Sequence, residues 1–507
     1  MRNLERQNTQ TKMPTGIEGY DHISHGGLSK GRATLVAGSS GSGKTVFAVQ
    51  TLYRQLTTFA NKAVFVTLEE VADDIIRNAK SMNLNLNELI EQKKLIILDS
   101  SPRIGEVEVL GRINLSGLLV QIEYAVKQID AGLVVIDSIG VLFSQYSEAG
   151  NLRHEIFLIC DRLKNMGVTT ILTSERTSEY GTISRHGIEE FVSDNVIVLR
   201  SVLEQERVRR TIQIFKMRGE NYDSGEFPFI LSSKGISLTP ISAIELTQMS
   251  SMKRISSGLS ELDKMTDGGF FRESILLVSG PTGCGKTLLG ITFVAEACKE
   301  GRRALLLAYE ESLPQIIRNA KSWGYDFNVW QEQGLLKIVC LYPEVMPLEH
   351  HLYKIKQECD DFKPERLGID SLSALERIGS VRTFREFVMG LTAFCKSQEM
   401  CSLFTAATPQ LTGGSSITET HISTITDIII ALRYVELDGS LRRGLALVKM
   451  RGSQHDKNIH EYSIDESGMH IEEPFKNVQN ILLGIPTSSS IREIDRLEGL
   501  FNKGEDA

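Results

Sequence analysis

Two tandem α/β domains, each a mostly parallel sheet flanked by helices, are predicted by three observations. The chain repeats itself at domain size. Each copy carries a glycine-rich Gly-x-x-x-x-Gly-Lys-Thr turn between an apolar run and a helical pattern. Its apolar runs lack polar alternation, as strands buried on both faces do. At 507 residues the chain exceeds one ordinary core, which agrees with a duplication.

The repeat is ordered. TGIEGYDHISHGGLSKGRATLVAGSSGSGKT returns as SGLSELDKMTDGGFFRESILLVSGPTGCGKT, LEEVADDIIRNAKS as YEESLPQIIRNAKS, VVIDSIGVL as LGIDSLSAL, and FKMRG as VKMRG. The spacing is 242 from Lys44 to Lys286, 241 from Glu69 to Glu310, and 233 from Asp137 to Asp370 and from Lys216 to Lys449. The first lobe therefore holds eight extra residues between its Glu pair and its Ile-Asp-Ser strand, expected as a longer loop around Pro102 to Leu115. Seven runs in the first lobe read as strands: RATLVAG, KAVFVTLEE, KLIILDSS, LVVIDS, VTTILTSE, NVIVLR and TIQIFKMRG. The last two close the sheet as an antiparallel edge. The expected layout is a flexible N-terminus at 1–12, a first domain at 13–240, a linker at 241–254, a second domain at 255–474, and a flexible polar, Ser-rich tail at 475–507.

Composition narrows the function. Net charge is −8, which argues against a bare nucleic-acid coat. Seven scattered cysteines form no Cys-x-x-Cys pair, which reads as reduced thiols. The first residues lack an apolar segment, and no apolar run reaches the ~18 residues that span a bilayer. A cytoplasmic protein without membrane or DNA partner is expected.

Gly38-Ser39-Ser40-Gly41-Ser42-Gly43-Lys44-Thr45 and Gly280-Pro281-Thr282-Gly283-Cys284-Gly285-Lys286-Thr287 come after strands and open helices. Backbone amides of such a loop wrap a β-phosphate, and the helix N-terminus adds its positive end. Lys44 and Lys286 are placed to neutralise β/γ-phosphates, and the Thr45 and Thr287 hydroxyls to ligate Mg²⁺. A mere Gly-rich turn is the simpler reading of one match, and two in register exclude it. Cys284 reads as a tolerated small residue, with a redox-sensitive thiol as the alternative.

Glu69-Glu70 and Glu310-Glu311 end the next strand of each lobe. A carboxylate there can deprotonate a water or hydroxyl in line with a γ-phosphate, and paired carboxylates oppose each other's ionisation. A helix N-terminal acidic pair is the competing reading. Asp137 and Asp370 end apolar strands in the Walker B manner, suited to hold Mg²⁺ through water and the loop threonine; an N-cap for the next helix is the competing reading, and both roles can coexist. A transferring phosphoryl group also needs extra positive charge, worth roughly 10³ to 10⁵ in rate when supplied in trans. Lys216/Arg218 and Lys449/Arg451, sharing a strand face within each pair, offer it to a neighbouring subunit. A solvated basic strand end is the competing reading. At spacing 233, Ser423 and Thr424 replace Glu190 and Phe191, so only the second lobe presents adjacent hydroxyls as phosphate acceptors. Ordinary turn chemistry is the default reading of such a pair.

These residues, with EEFVSDNV and HISTITD, resemble the KaiC family, the ATPases and autokinases of the cyanobacterial circadian clock, from about residue 13 to 485; RecA-type ATPases share its fold. The resemblance implies two RecA-like domains in a two-tiered homohexamer, with ATP or ADP and Mg²⁺ at subunit interfaces. The first tier is implied to be a slow ATPase with Glu69 catalytic beside Glu70. The second is implied to be a serine/threonine autokinase and autophosphatase, with Glu310 as base beside Glu311 and as a further metal contact. Ser423 and Thr424 are its implied phosphorylated pair, and dephosphorylation in this family returns phosphate to ADP. By the same match Val46, Ser81, Lys216, Met217 and Arg218 line the first nucleotide. Leu288, Trp323, Arg443, Lys449, Met450 and Arg451 line the second, and Thr418 is a further hydroxyl near the acceptors. A KaiB-like partner fits the long loop of the first lobe, and a histidine-kinase-type output partner fits the class. The tail keeps Pro486-Thr487 but lacks the sequence typical, beyond that point, of members that bind KaiA, so a KaiA-like activator is not expected. A RecA-like DNA-dependent ATPase and a nucleotide-locked scaffold are the alternative functions.

Overall fold

The computed structural model describes residues 12–101, 115–143, 149–181, 193–204, 207–240, 251–408, 422–437, 439–476, 478–479 and 487–488. The chain forms two compact units, Met1–Ala243 and Ile244–Ala507.

The first unit is built from β1 (Ala33–Gly38), α1 (Lys44–Thr57), β2 (Ala63–Thr67), α2 (Ala72–Ser81), β3 (Leu95–Asp99), α3 (Leu115–Ile129), β4 (Leu133–Asp137), α4 (Ala149–Asn165), β5 (Thr169–Glu175), β6 (Asn195–Glu204), β7 (Arg207–Met217), β8 (Phe227–Ser232) and β9 (Gly235–Leu238). Its sheet order is β3-β2-β4-β5-β1-β6-β7-β8-β9. The first six strands run parallel and the last three pairings are antiparallel.

The second unit repeats the plan with β10 (Ile275–Gly280), α5 (Lys286–Lys299), β11 (Ala304–Ala308), α6 (Leu313–Ser322), β12 (Leu336–Cys340), α7 (Leu348–Phe362), β13 (Arg366–Asp370), α8 (Val381–Ser397), β14 (Cys401–Ala407), β15 (Ile428–Leu437), β16 (Ser440–Met450), β17 (Ile459–Asp465) and β18 (Gly468–Pro474). Its order, β12-β11-β13-β14-β10-β15-β16-β17-β18, is the same.

The apolar runs become strands because both faces of each parallel region are covered. On β4, Leu133 and Val135 enter one core with Phe47 and Leu52 of α1. Val134 and Ile136 enter the opposite core with Ile122 of α3 and Ile159 of α4. Each such side chain contributes about 1.5–3 kcal/mol on burial.

The tandem α/β fold agrees with the expectation. The antiparallel edge is wider than its two expected strands, because β8-β9 and β17-β18 add a hairpin to each sheet. Within the stretch expected as tail, Val478–Gln479 pairs with Thr487–Ser488. The first unit's extra length falls between Asp99 and Leu115, where 102–114 lie outside the described residues. No described helix is long and apolar enough to cross a membrane.

One irregularity recurs. The β6-β7 register slips between Val196 and Ile197, and the β15-β16 register between Ile429 and Ile430. Each slip leaves one residue unmatched, Phe215 or Val448, and both are exposed. A bulge reverses which side chains face inward beyond it. Ile212, Ile214 and Met217 therefore share one core, as do Leu445, Leu447 and Met450, while Lys216 and Lys449 leave that face.

Asp427 anchors the start of β10 and β15. It accepts the Ile275 amide at 3.0 Å, pairs with Lys396 of α8 at 3.0 Å, and lies 3.7 Å from Arg451. Asp427→Ala should cost about 2–4 kcal/mol in the second unit, since it strands an amide and a cation. Hydrogen exchange at Leu276–Val278 should accelerate at least tenfold while Leu35–Ala37 stay unchanged; equal protection in both proteins would contradict the anchor.

Candidate functional site

Each phosphate loop is pinned between two strands. Gly38 passes so close to β6 that a Cβ there would sit 2.7 Å from the Leu199 carbonyl oxygen, and at Gly280 the distance to the Leu432 carbonyl would be 2.6 Å. Gly43 and Gly285, at φ of +100° and +97°, turn the chain into α1 and α5 in a conformation that other residues rarely adopt. Within the first loop the Ser42 amide donates to the Ser39 carbonyl at 3.2 Å, with Ser40 and Gly41 in the turn between.

Lys44 Nζ donates to the Gly38 and Ser39 carbonyls at 3.0 and 2.9 Å, and Lys286 Nζ to Pro281 at 2.8 Å. Burial holds the Lys44 amine below its ordinary pKa. Tyr434 Oη donates to the Thr282 carbonyl at 3.4 Å, and the same oxygen would lie 3.0 Å from a Cβ at Gly283. Burial raises the Cys284 thiol above its ordinary value, which disfavours the reactive thiolate, and Tyr462 donates to its carbonyl. Val46 packs on the first core and Leu288 is buried in the second.

The acid that ends the strand two places across the sheet, β4 or β13, meets the loop threonine in both units. Thr45 Oγ1 donates to Asp137 at 2.8 Å and Thr287 Oγ1 to Asp370 at 2.6 Å. The second oxygen of each aspartate accepts from Thr173 or Thr405. The peptide after each aspartate, to Ser138 and to Ser371, is cis. Burial raises the Asp137 carboxyl against the pull of its two threonines. A hydroxyl beside a carboxylate at the loop is the donor set that suits a hard, oxygen-seeking cation shared with phosphate.

The glutamate pairs end the strand run beside these acids. Glu69 accepts from Ser138 Oγ at 2.9 Å. Glu310 is held by Arg377 at 2.5 Å, both groups being half-exposed. The second member of each pair is anchored by an asparagine of the next helix, Asn78 to Glu70 at 3.4 Å and Asn319 to Glu311 at 3.2 Å. The Glu70 and Glu311 carboxyls are raised, first by burial and then by Asp137 or Asp370. The expected mutual opposition of the pair acts in the same direction but is the smaller cause.

In the second unit these groups line one cavity of about 450 Å³. Lys286, Thr287, Glu310, Glu311 and Asp370 border it, and so do Trp323, at the C-terminal end of α6, and Arg443 of β16. Ser81 ends α2 exposed, its hydroxyl donating to the Asn78 carbonyl at 2.7 Å.

The cations of the Lys-Met-Arg-Gly segments lie elsewhere. Lys449 Nζ donates to the Ser423 and Thr426 carbonyls at 2.5 and 2.7 Å, and Arg451 to the Thr424 carbonyl at 2.6 Å. Lys216 reaches Ser193 at 2.9 Å, and Arg218 lies 4.0 Å from Asp194. Met217 and Met450 point into the cores. The Ser423–Thr426 turn enters β15 beside Ile275, at the start of β10, whereas the loop leaves from Gly280 at its end. Five residues of strand, roughly 16 Å, separate the two ends. Within one chain, the hydroxyls and the four cations thus sit at the sheet edge opposite the phosphate loops. Thr418, Glu190 and Phe191 lie outside the described residues.

Sequence reasoning missed Arg377, Thr173 and Thr405. The two threonines recur at matching strand ends and were findable from the repeat. Arg377 has Ser144 opposite it at spacing 233, and no motif marks it.

The ATPase: KaiC family model matches residues 13–243 and again 255–476. The chain is 53% identical to the circadian clock oscillator protein KaiC of Thermostichus vulcanus, over 95% of this chain and 93% of that one. It is 50% identical to the protein of that name from Synechococcus elongatus, over 98% and 96%. It is 49% identical to the circadian clock protein KaiC3 of Synechocystis sp., over 97% and 98%. With two loops, two Thr-Asp pairs and a family match in each half, the chain belongs to the KaiC family of ATPases.

Proposed function

We propose that this ATPase writes and erases a phosphate mark on its own second lobe, as a homohexamer whose subunits complete one another's sites in circadian-type timing. The placement of Ser423 and Thr424 at the sheet edge opposite their own loop carries this reading. A chain cannot bring its own γ-phosphate across the ~16 Å of strand between them. A neighbour's hydroxyls and cations, presented across an interface, can reach it.

In this reading the domain spanning 13–240 hydrolyses ATP and that spanning 255–474 transfers phosphate. Mg²⁺, when bound, neutralises charge on the β/γ-phosphate oxygens, with Thr45 and Thr287 beside Asp137 and Asp370 as its protein partners, and Glu310 near the second. In the second lobe Glu310, released from Arg377, takes the proton from Ser423 or Thr424 of the adjacent subunit. The hydroxyl oxygen bonds phosphorus, the bond to the β-phosphate oxygen breaks, and ADP leaves. Lys286 steadies the leaving phosphates, while Lys449 and Arg451 from the acceptor's subunit hold its turn and bring positive charge. The reverse transfer to ADP erases the mark. In the first lobe Glu69, oriented by Ser138, acts on water instead. The family likeness supports a KaiB-like partner, and a histidine-kinase-type partner as output.

Labelled ATP should place phosphate on Ser423 and Thr424, mapped by mass spectrometry. Glu310→Gln should lower that label at least a hundredfold while ADP release by the first lobe continues. ADP release with no protein-bound label in the unaltered chain would reduce the protein to a hydrolase.

Rings mixed from Lys449→Ala and Lys286→Ala subunits should regain part of the label that neither has alone. The label should appear on the Lys286→Ala subunits, which contribute acceptors and cations to an intact neighbouring loop. Label on the other subunit would refute the division of the site.

A further inference from the structure

The strand that separates the phosphate loop from the Asp137 or Asp370 strand ends differently in the two units. β5 lies between β1 and β4, and β14 between β10 and β13. Its last residue is Glu175 in the first unit and Ala407 in the second, in register with Gly38 and Gly280, where each loop begins. The next amide, of Arg176 or Thr408, donates to the carbonyl of that glycine at 3.0 Å, so both strand ends are held alike. The backbone is the same, and only the side chain has changed from a carboxylate to a methyl group.

Residues two apart on a strand share a face. Ile171 packs with Phe47 of α1, Thr173 meets Asp137, and Glu175 continues that row on the loop side of the sheet. In the second unit the matching pair, Thr405 and Ala407, lines the cavity with Lys286, Glu310 and Asp370. Burial lowers the Lys44 amine, and of the carboxylates that oppose this, Glu175 comes first, ahead of Asp137 and Glu69. The other acids are engaged. Asp137 accepts from two threonines, Glu69 from Ser138, and Glu179 from the Ser201 amide at 3.1 Å. Among the described residues, no donor is seated on the Glu175 carboxylate. Ser138 stands between the two glutamates: its hydroxyl goes to Glu69, and the adjoining Ile139 amide donates to Thr173 of β5 at 3.0 Å.

Water and a side-chain hydroxyl make different demands of such a site. A hydroxyl has one proton, and a base takes it. A water gives one proton to the base and keeps another, which needs its own acceptor if the oxygen is to be aimed at phosphorus. We propose that Glu175 is the second acceptor for the attacking water of the first lobe. Glu69 takes one proton, and Glu175 holds the other in a hydrogen bond. The water oxygen bonds the γ-phosphorus, the bond to the β-phosphate oxygen breaks, and ADP leaves. The inorganic phosphate carries the retained proton away. In the second lobe Ala407 withdraws that acceptor and leaves room for a larger, one-proton nucleophile. The proposal rests on Glu69 acting on water.

The test follows ADP release by the full chain with its second lobe silenced by Lys286→Ala. In that background Glu175→Ala should lower kcat at least tenfold with KM changed less than twofold. Glu175→Gln, whose amide oxygen still accepts a hydrogen bond, should stay within threefold of the parent. The twin position shows that the fold takes alanine there, and both variants should melt with the parent. A kcat within twofold of the parent in Glu175→Ala would overturn the proposal. So would a loss carried by KM, or a glutamine variant as slow as the alanine one, since a mere counter-charge for Lys44 gives those results. Glu69→Gln separates the two claims. Full turnover there would sink the role of Glu69 and this proposal with it, whereas loss there beside normal turnover in Glu175→Ala would sink this proposal alone.

Discussion

Strand direction is the constraint on which everything else in this molecule depends. Six parallel strands send all their carboxyl ends to one edge of each sheet, and that edge collects the phosphate loop, the loop threonine, the strand-end aspartate and the glutamate pair. The antiparallel return of β7 and β16 sends Lys216 and Lys449 to the other edge. Within a chain the phosphate loops are thereby kept apart from these lysines and from the Ser423–Thr426 turn. The bulges at Phe215 and Val448 set how these side chains point, because the same residues in unbroken alternation would turn the lysines into the core and the methionines out of it.

Much of this was readable from residue order. Gly43 and Gly285, the lysine and threonine after each, and an aspartate ending an unbroken apolar run stood out because the same residues return in the same order in the repeat. The spacing arithmetic also located the first lobe's extra length, since β3 and β12 keep the 241 spacing while α3 and α7 have moved to 233. What could not be read depended on distance in space. The Arg377–Glu310 pair joins residues 67 apart. Thr173 and Thr405 return at matching positions of the repeat, but each is one of several hydroxyls on its strand, and only the fold shows that it meets an aspartate. The added hairpins escaped notice because short, half-exposed strands such as β8 and β18 lack the uniform burial that marked the others.

Duplication kept the framework and let the interior of the sites drift. Both copies retain the Thr-Asp link, the asparagine under the second glutamate and the partly buried aspartate, Asp194 or Asp427, before the sixth strand. The differences gather around the first glutamate and beneath the loop helix. There Ser138 or Arg377 meets the carboxylate, and Phe65 with Val135 or Leu306 with Gly368 fills the layer below.

The two keepers of the first glutamate differ in kind as well as identity. A serine hydroxyl holds Glu69 through a neutral contact, whereas Glu310 is held by an opposite charge, with both partners half in water. Dissolved ions weaken the second far more than the first, with a screening length of about 8 Å at physiological strength. The ionic composition of the surroundings therefore reaches the first glutamate of one lobe and passes over that of the other, so a single solution variable acts unequally on two otherwise similar sites.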